Sequence, residues 1–271
     1  MSKKQILYIS QEITPFLPES EMSEIGRELP QAIQEKGNEI RTFMPKFGCI
    51  NERRNQLHEV IRLSGMNLII DDNDHPLIIK VASIQPARMQ VYFIDNEDYF
   101  ERKATLQDKS GKLFKDNDER TIFFCRGVLE TVKKLGWAPD LIHCHGWMTS
   151  LIPLYLKTSY KNEPLFEKSK VITSLYNDNF TGSLDSDFSK KALMDGITEA
   201  DINQLADATH QNLCYTAALW SDGVILASES IENSVGDIDI PILEYQGEDY
   251  VDTYDDFYNQ ILKQEDKVLA E

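Results

Sequence analysis

Short apolar runs alternate along the chain with longer segments in which apolar residues recur every three or four positions. The first example is the run Ile6–Ser10, followed by helical spacing over Met22–Lys36 and a second apolar run at Glu39–Met44. Gly37 stands directly after the helical segment, in the place where a glycine commonly ends a helix. The order strand, helix, strand predicts a parallel βαβ unit at the start of the chain.

The alternation continues to the end of the sequence. Further strands are predicted at Val91–Asp95, Asp140–His143, Val171–Ser174 and Gly223–Ala227. Helices are predicted at Asp118–Leu135, Ser150–Lys157, Ile202–Trp220 and Asp252–Leu269. Six apolar strands alternating with helices favour an α/β fold, a doubly wound and mostly parallel sheet of the Rossmann-like type.

Residues 57–84 follow a different pattern, because three apolar runs follow each other without a helix between them. They predict antiparallel strands at Val60–Leu63, Met66–Ile70 and Leu77–Ile84, with a turn over 71–76 joining the last two. We therefore expect a small antiparallel β insertion in the parallel sheet.

Charge is distributed unevenly. The 28 basic and 45 acidic residues give a net charge of −17, and residues 185–271 hold only 4 of the bases but 20 of the acids. We expect a Rossmann-like domain over 1–240 and an acidic, Tyr-rich segment with a C-terminal helix over 241–271. Acidic residues interleaved with aromatics at 244–258 are compatible with a solvated helix face, a protein-docking tail or an aromatic strip that binds sugar.

Several classes of function are disfavoured by this composition. An acidic chain is repelled by nucleic acid and by anionic lipid, so we expect neither as a partner. The apolar runs are far shorter than the roughly 18 residues that span a bilayer, and the N-terminus does not resemble a signal peptide. The four widely spaced cysteines predict buried, reduced thiols in a cytoplasmic protein, without a disulfide or a zinc site: Cys49, Cys125, Cys144 and Cys214.

The loop expected at 143–149 reads HCHGWMT and is the most informative short segment. Its histidines, His143 and His145, are two residues apart and would share one face of an extended chain. A metal site would need a third ligand, a Cys144–His dyad would need an activating arrangement, and a buried hydrogen-bonding network would need neither. We assign no metal, no cofactor and no catalytic residue from this pattern.

The order of several motifs resembles a known family. Segment 6–16 (ILYISQEITPF) resembles an opening strand followed by S-E-x-x-P-F, and segment 44–48 (MPKFG) resembles M-P-x-Y. Segment 117–126 (NDERTIFFCR) and above all segment 136–156 (GWAPDLIHCHGWMTSLIPLYL) resemble later blocks of the same family. That family is the N-terminal domain of bacterial ADP-glucose-type glycogen and starch synthases, glycosyltransferases with two Rossmann-like domains (the GT-B fold).

The resemblance implies an acceptor-side domain that binds α-glucan or malto-oligosaccharide. It implies that His145, and after it His143, hydrogen-bonds a hydroxyl of a glucose unit. It further implies that Trp147 stacks on a sugar ring and that Asn117 and Arg120 orient the cleft. From the residues alone, a core position is the commoner outcome for Trp147, and polar capping of the helix 117–135 fits Asn117 and Arg120 at least as well as a role in the cleft.

The chain also departs from the family pattern. A Lys-x-Gly-Gly loop that meets the sugar nucleotide is replaced by segment 17–24 (LPESEMSE), which brings Glu19, Glu21 and Glu24. Gly146 replaces an aspartate and Met148 a histidine, and segment 173–177 (TSLYN) lacks the histidine of T-I-H-N. A second domain with basic residues opposite the leaving diphosphate is also expected in the family, and residues 185–271 contain only four lysines.

Three functions therefore remain open at this stage. The first is a degenerate domain that binds glucan or a partner without transferring glucose. The second is a half-enzyme completed by a separate nucleotide-binding GT-B domain. The third is a protein-interaction module that uses the acidic segment and has no role in sugar binding.

Overall fold

The computed structural model describes residues 3–85, 87–229, 231, 235 and 238–264. Its strands are β1 (Gln5–Ser10), β2 (Glu39–Pro45), β3 (His58–Glu59), β4 (Met66–Ile70), β5 (Asn73–Ile84), β6 (Met89–Asp95), β7 (Leu141–His145), β8 (Lys170–Leu175), β9 (Gly223–Leu226) and β10 (Ile242–Leu243). Its α-helices are α1 (Glu21–Glu35), α2 (Glu97–Phe100), α3 (Asn117–Leu135), α4 (Leu151–Lys157), α5 (Phe188–Ala192), α6 (His210–Leu219) and α7 (Tyr250–Leu262). Short 3₁₀ helices cover Trp147–Thr149 and Glu199–Ala206.

These strands form one sheet in the order β10-β9-β8-β7-β1-β2-β6-β5-β3, and β4 pairs with β5. Every pairing from β10 to β6 is parallel, whereas β3, β4 and β5 pair antiparallel. The mostly parallel Rossmann-like sheet with an antiparallel insertion is therefore confirmed. Chain order reverses between β1 and β7, which is where such sheets open a crevice at the carboxyl ends of their strands.

Helices cover both faces of the sheet, which is why the central strands are apolar on both sides. On one face, Tyr8, Leu29 and Ile172 share a core with Tyr254 and Phe257, so α1 and α7 lie there together. The larger core on the opposite face is formed with α3, α4 and α6. It includes Leu7, Phe123, Ile142, Leu151 and Leu213.

The antiparallel insertion differs in detail from the sequence prediction. The predicted strand Val60–Leu63 is wrong: the amides of Leu63 and Ser64 both bond the carbonyl of Val60, which makes a turn, and β3 precedes it. The predicted turn over 71–76 is also too long. Strands β4 and β5 continue up to a two-residue loop, Asp71-Asp72, with φ of 48° and 60°, a left-handed backbone that aspartate tolerates better than most residues.

Two helix predictions also need correction. Ile202–Trp220 is not one helix, because the chain leaves helical geometry after Ala206 and α6 starts anew. Thr209 caps the new helix by accepting a hydrogen bond from the Asn212 amide at 3.2 Å. The predicted terminal helix, Asp252–Leu269, starts earlier at Tyr250 and ends at Leu262, and residues 265–269 of the prediction lie outside the described residues.

The acidic C-terminal segment packs against the rest of the sheet. Strand β10 pairs with β9, and α7 is tied to the N-terminal part of the chain by lysines. Lys4 Nζ lies 2.9 Å from Asp255, and Lys36 Nζ lies 2.6 Å from Asp252 and 3.4 Å from Asp255. The domain boundary at residue 240 stays a prediction.

Cysteine placement follows the prediction in three cases of four. Cys125, Cys144 and Cys214 are buried, and all four cysteines have free thiols. The expectation of burial is wrong for Cys49, which is exposed in the loop that follows β2. Among the described helices, none is both long and apolar enough to cross a membrane.

Candidate functional site

The two histidines of the HCHGW segment lie at the end of β7, beside the reversal of strand order. Both belong to the strand rather than to the loop predicted at 143–149, and their rings share one face with centroids 3.9 Å apart. His143 Nδ1 lies 2.7 Å from the Tyr258 hydroxyl, and its Nε2 lies 2.7 Å from the Ser174 hydroxyl. His145 Nδ1 lies 2.7 Å from the Tyr176 hydroxyl. The shared face is confirmed, and it supports a hydrogen-bonded network.

This network is sealed from solvent and uncharged. Both imidazoles are fully buried, and within the described part of the chain Nε2 of His145 has no hydrogen-bond partner. Burial lowers the pKa of His145 to about 3. Burial, together with the neighbouring His145, lowers the pKa of His143 well below its ordinary value. At neutral pH the pair therefore supplies no positive charge to the crevice.

Two of the departures from the family pattern meet in space. Gly146 has φ +84°, and a Cβ at this position would lie 2.8 Å from Met22 Cε and 3.0 Å from Gln11 Cβ. Met22 is a buried residue of the first turn of α1, in the segment that replaces the Lys-x-Gly-Gly loop. A side chain at position 146 would therefore require both a strained backbone and displacement of Met22. The glycine and the altered loop form one packed unit.

Two carboxylates, those of Glu12 and Glu21, lie beside the strand-end crevice. Glu12 follows β1, and its Oε2 accepts a hydrogen bond from the Ser20 hydroxyl at 2.8 Å. Burial raises the pKa of Glu12 and the nearby charge of Asp178 adds to this, while the Ser20 hydrogen bond partly offsets both. Glu21 is exposed and bonds the Ser228 hydroxyl, and Glu19 and Glu24 are exposed. A diphosphate approaching these groups is repelled.

A separate cavity of 590 Å³ lies between two loops on this side of the molecule. One wall is segment 107–115 and the other is segment 179–185, and each contributes a half-buried phenylalanine, Phe114 and Phe180. Its other lining side chains are mostly polar and exposed, including Gln107, Lys115 and Asn179. Its size falls within the range of about 300–1,000 Å³ that is typical of ligand pockets.

Both walls are held by defined contacts. In the first, Gln107 and Leu113 form an antiparallel bridge, and Asp108 Oδ1 accepts hydrogen bonds from the Ser110 amide and hydroxyl and from the Lys112 amide. The second wall is joined to the start of α6 by a bridge between residues 183 and 209. The cavity is therefore preformed rather than shaped by loose loops.

Three of the residues predicted from the sequence lie behind this cavity. Asn117 Nδ2 donates to the Leu106 carbonyl at 2.8 Å, and Arg120 Nη1 donates to Asn117 Oδ1 at 2.6 Å. The guanidinium of Arg120 lies 5.6 Å from the Phe114 ring centre. The Trp147 ring packs edge-on against Phe180 at 5.0 Å. Asn117 and Arg120 support one wall and Trp147 supports the other.

Arg120 is unusually enclosed for an arginine. Its side chain is fully buried among the rings of Phe47, Phe100 and Phe114, and its Nε and Nη2 have no partner among the described residues. Burial, with a smaller contribution from the charge of Arg102, lowers the pKa of Arg120 to about 9. The side chain of Asn117 bonds a loop carbonyl, so the capping interpretation of this residue is wrong.

The sequence did not point to the two phenylalanines or to the tyrosines of the histidine network. Phe114 and Phe180 belong to loops without periodic apolar spacing, so no pattern distinguishes them from other loop residues. Tyr176 occupies the segment in which the histidine of T-I-H-N is missing, and that absence is the one signal available in the sequence. Across the described residues, no group of three or more His, Cys, Asp or Glu side chains is arranged to hold a metal ion.

Comparison with known proteins agrees with this architecture. Residues 5–239 match the family model described as the starch synthase catalytic domain. The glycogen synthase of Chlorobium limicola is 37% identical over 230 residues, covering 82% of this chain and 47% of that protein. The glycogen synthase of Chlorobaculum tepidum is 42% identical over 174 residues, covering 64% and 36%. The chain thus spans about half the length, or less, of these relatives.

A solved structure extends the comparison to the fold. The catalytic domain of starch synthase IV from Arabidopsis thaliana, determined with ADP and acarbose, superposes with a TM-score of 0.69 at 18% identity. The superposition covers 96% of this chain and 50% of that one, so this chain has the fold of about half of that GT-B glycosyltransferase catalytic domain. From the family model and the identity to glycogen synthases, the chain belongs to the starch synthase catalytic domain family.

Proposed function

We propose that these 271 residues bind α-glucan and do not transfer glucose by themselves. The observation that carries this proposal is the chemistry of the strand-end crevice. Its two imidazoles are buried and neutral, and the carboxylates of Glu12 and Glu21 lie beside the strand ends, where they bond the Ser20 and Ser228 hydroxyls. Transfer from a sugar nucleotide requires positive groups opposite the leaving diphosphate, and this crevice offers the opposite charge.

Two observations favour glucan as the ligand. They are the sequence identity to glycogen synthases and the cavity between segments 107–115 and 179–185. The relatives are named glycogen synthases, so α-glucan is the substance on which related chains act. In this proposal, Trp147, Asn117 and Arg120 position the loops that meet the sugar, while His143 and His145 hold the strand ends together. A direct contact from His145 to a sugar hydroxyl would require the buried ring to become accessible, because its Nδ1 faces the Tyr176 hydroxyl and its unpaired Nε2 has no accessible surface.

The test combines binding with turnover on the purified chain. Calorimetric titration with maltoheptaose is expected to give a dissociation constant of about 1 mM or tighter, and incubation with ADP-glucose and glycogen is expected to release no ADP above background. Cellohexaose, which has the same sugar but β linkages, serves as the matched control and is expected not to bind. Absence of maltoheptaose binding would refute glucan recognition, and sustained ADP release would refute the lack of transfer.

A second candidate is a half-enzyme completed by a separate nucleotide-binding GT-B domain. It is favoured by one observation, that the chain covers 47% of the length of a related glycogen synthase. Transferase activity is then expected only after mixing with a chain that carries a basic, nucleotide-binding Rossmann-like domain. The C-terminal half of a related glycogen synthase, added in excess, is the probe, and ADP release is the measurement. No gain of activity on mixing would leave glucan binding as the function.

A further inference from the structure

We propose that strand β4 (Met66–Ile70) joins a second copy of this chain by antiparallel pairing along its free edge. Among the described residues, β4 pairs only with β5. The strand contains no charged residue and no proline, which are among the devices that protect exposed edges in natural sheets. Ile69 is 59% exposed, and Ile61, in the turn before the strand, is 82% exposed. Apolar side chains this exposed beside an open strand edge favour a protein contact.

The backbone groups of two residues, Asn67 and Ile69, face this free edge. Asn67 lies opposite Pro76 in the pairing with β5, and because proline has no N–H the two cannot form a hydrogen-bonded pair. Bonded and non-bonded pairs alternate along antiparallel strands, so the groups of Asn67 and Ile69 are directed away from β5. The Ile69 carbonyl accepts a hydrogen bond from the Arg126 side chain. A carbonyl oxygen accepts two such bonds, so it can still take an amide from a second strand.

A two-fold axis at Leu68 places these groups opposite each other in an antiparallel ladder. Asn67 of one copy then lies opposite Ile69 of the other, and each of these pairs exchanges both of its N–H···O bonds. The side chain of Ile69 is covered from the side by the neighbouring strand. Because both copies use the same patch, the contact closes at a dimer and does not extend into a filament.

The charged groups at the two ends of β4 are complementary in this arrangement. The hairpin tip after β4 has two exposed acids, Asp71 and Asp72, without an ion pair among the described residues. The turn before β4 has two exposed bases, Arg62 and Lys134, and Lys134 Nζ lies 3.3 Å from a carbonyl of that turn. Antiparallel pairing brings the acidic tip of each copy beside the basic end of the other, whereas parallel pairing would bring the two tips together.

The net charge of −17 opposes association of two copies, but salt limits this repulsion. At an ionic strength of about 0.15 M the screening length is about 8 Å, so groups in contact interact more strongly than distant ones. A contact between two five-residue strands and their turns is small beside the roughly 1,200–2,000 Å² that stable complexes bury. We therefore expect a weak dimer, with a dissociation constant of about 10–100 μM.

The experiment is sedimentation equilibrium of the whole chain at about 2–500 μM and at about 0.15 M ionic strength. The wild type is expected to change from monomer to dimer across this range. Ile69→Lys puts a like charge on both copies at an exposed position, and it is expected to weaken dimerisation roughly tenfold or more. Ile242→Lys is the matched control and is expected to leave it unchanged. Ile242 is 38% exposed and lies in β10, at the opposite end of the sheet.

Neutral variants test the direction of pairing. Asp71→Asn with Asp72→Asn keeps residues that tolerate the left-handed backbone of the tip, and Lys134→Gln removes one charge from the other end of β4. Each variant is expected to weaken dimerisation severalfold. The chain with all three substitutions is expected to lose less than the sum of the separate free-energy effects, because the tip of one copy faces the basic end of the other.

Each contrary outcome overturns the proposal. A wild-type chain that stays monomeric over the whole range has no such interface. Dimerisation that survives Ile69→Lys, or that is lost in Ile242→Lys, would place the contact on another surface. Fully additive effects of the neutral variants would exclude the antiparallel direction. If Ile69→Lys does not fold, as judged by circular dichroism, the additivity of the neutral variants and the Ile242→Lys control decide the question.

Discussion

A chain carrying Tyr258→Ala is expected to lose about 3–5 kcal/mol of its free energy of unfolding, as for other large aromatic truncations in cores. Tyr258 lies in α7, is fully buried, and packs with Tyr8 and Tyr254 between the sheet and the helix. The milder change Tyr258→Phe keeps the ring and removes only the hydroxyl that lies 2.7 Å from His143 Nδ1. It is expected to cost about 1–3 kcal/mol, because a buried imidazole nitrogen then has no partner on that side.

The measurement is chemical denaturation followed by circular dichroism, with Gln260→Ala as the matched control. Gln260 is in the same helix but exposed, so its replacement is expected to change the free energy of unfolding by less than about 0.5 kcal/mol. Equal, small effects of Tyr258→Ala and Gln260→Ala would mean that α7 does not pack on the sheet in solution. The histidine network would then be open to solvent.

This result bears on the role proposed for the acidic segment. Tyr250, Tyr254, Phe257 and Tyr258 direct their rings into the core, where they are buried. The exposed carboxylates of the acidic segment lie on the outer surface of α7. One of them, Asp252, pairs with Lys36. An interaction module that docks through the aromatic residues of α7 would have to unpack the helix first. Glucan binding requires no such unpacking, which favours it over docking through these residues.

The parallel sheet was predictable because its strands are buried on both faces. Runs such as Ile6–Ser10 and Val91–Asp95 are almost continuously apolar, and they are separated by helical patterns. The common face of His143 and His145 followed in the same way from the two-residue repeat of a strand. These features depend on local sequence, and local sequence was sufficient to predict them.

The features that decide what the site can do depend on contacts between distant parts of the chain. Tyr258 reaches His143 across 115 residues of sequence, and Phe114 and Phe180 meet the same cavity from two loops. The contact between Gly146 and Met22 is of the same kind, since each position alone reads only as a departure from the family pattern. The prediction of one helix over Ile202–Trp220 was wrong for a local reason. A 3₁₀ helix ends at Ala206, and Thr209 caps the start of a new helix, α6.

Lowering the pH from 7 to 5 is expected to remove about 2 kcal/mol of stability through His145 alone, and His143 adds to this loss. In the unfolded chain each histidine takes up a proton near its ordinary pKa of about 6.5. In the folded chain the pKa of His145 is about 3, and that of His143 is also well below the ordinary value, because burial disfavours the charged form. Below pH 6.5 the unfolded state therefore binds more protons, and stability falls by about 1.4 kcal/mol per pH unit through His145, with a contribution of the same sign from His143.

Carboxylates with raised pKa values act in the opposite direction. Burial raises the pKa of Glu12 and of Asp118, so their protonation favours the folded state and opposes the loss. The contribution of the imidazoles is therefore taken from the difference between the wild type and a histidine variant. The measurement is the free energy of unfolding in urea at several values of pH between pH 7 and pH 5.

Two variants and one spectrum test the assignment to the buried pair. His145→Gln, which cannot take up the proton, is expected to reduce the slope of stability against pH, whereas Gln260→Ala, which removes no titratable group, is expected to leave it unchanged. Nitrogen-15 spectra of the wild-type imidazoles are expected to show both buried rings neutral down to pH 5. A titration of either ring near pH 6.5 in the folded chain would mean that water reaches the strand ends. It would also support a direct hydrogen bond between His145 and a sugar hydroxyl in the crevice.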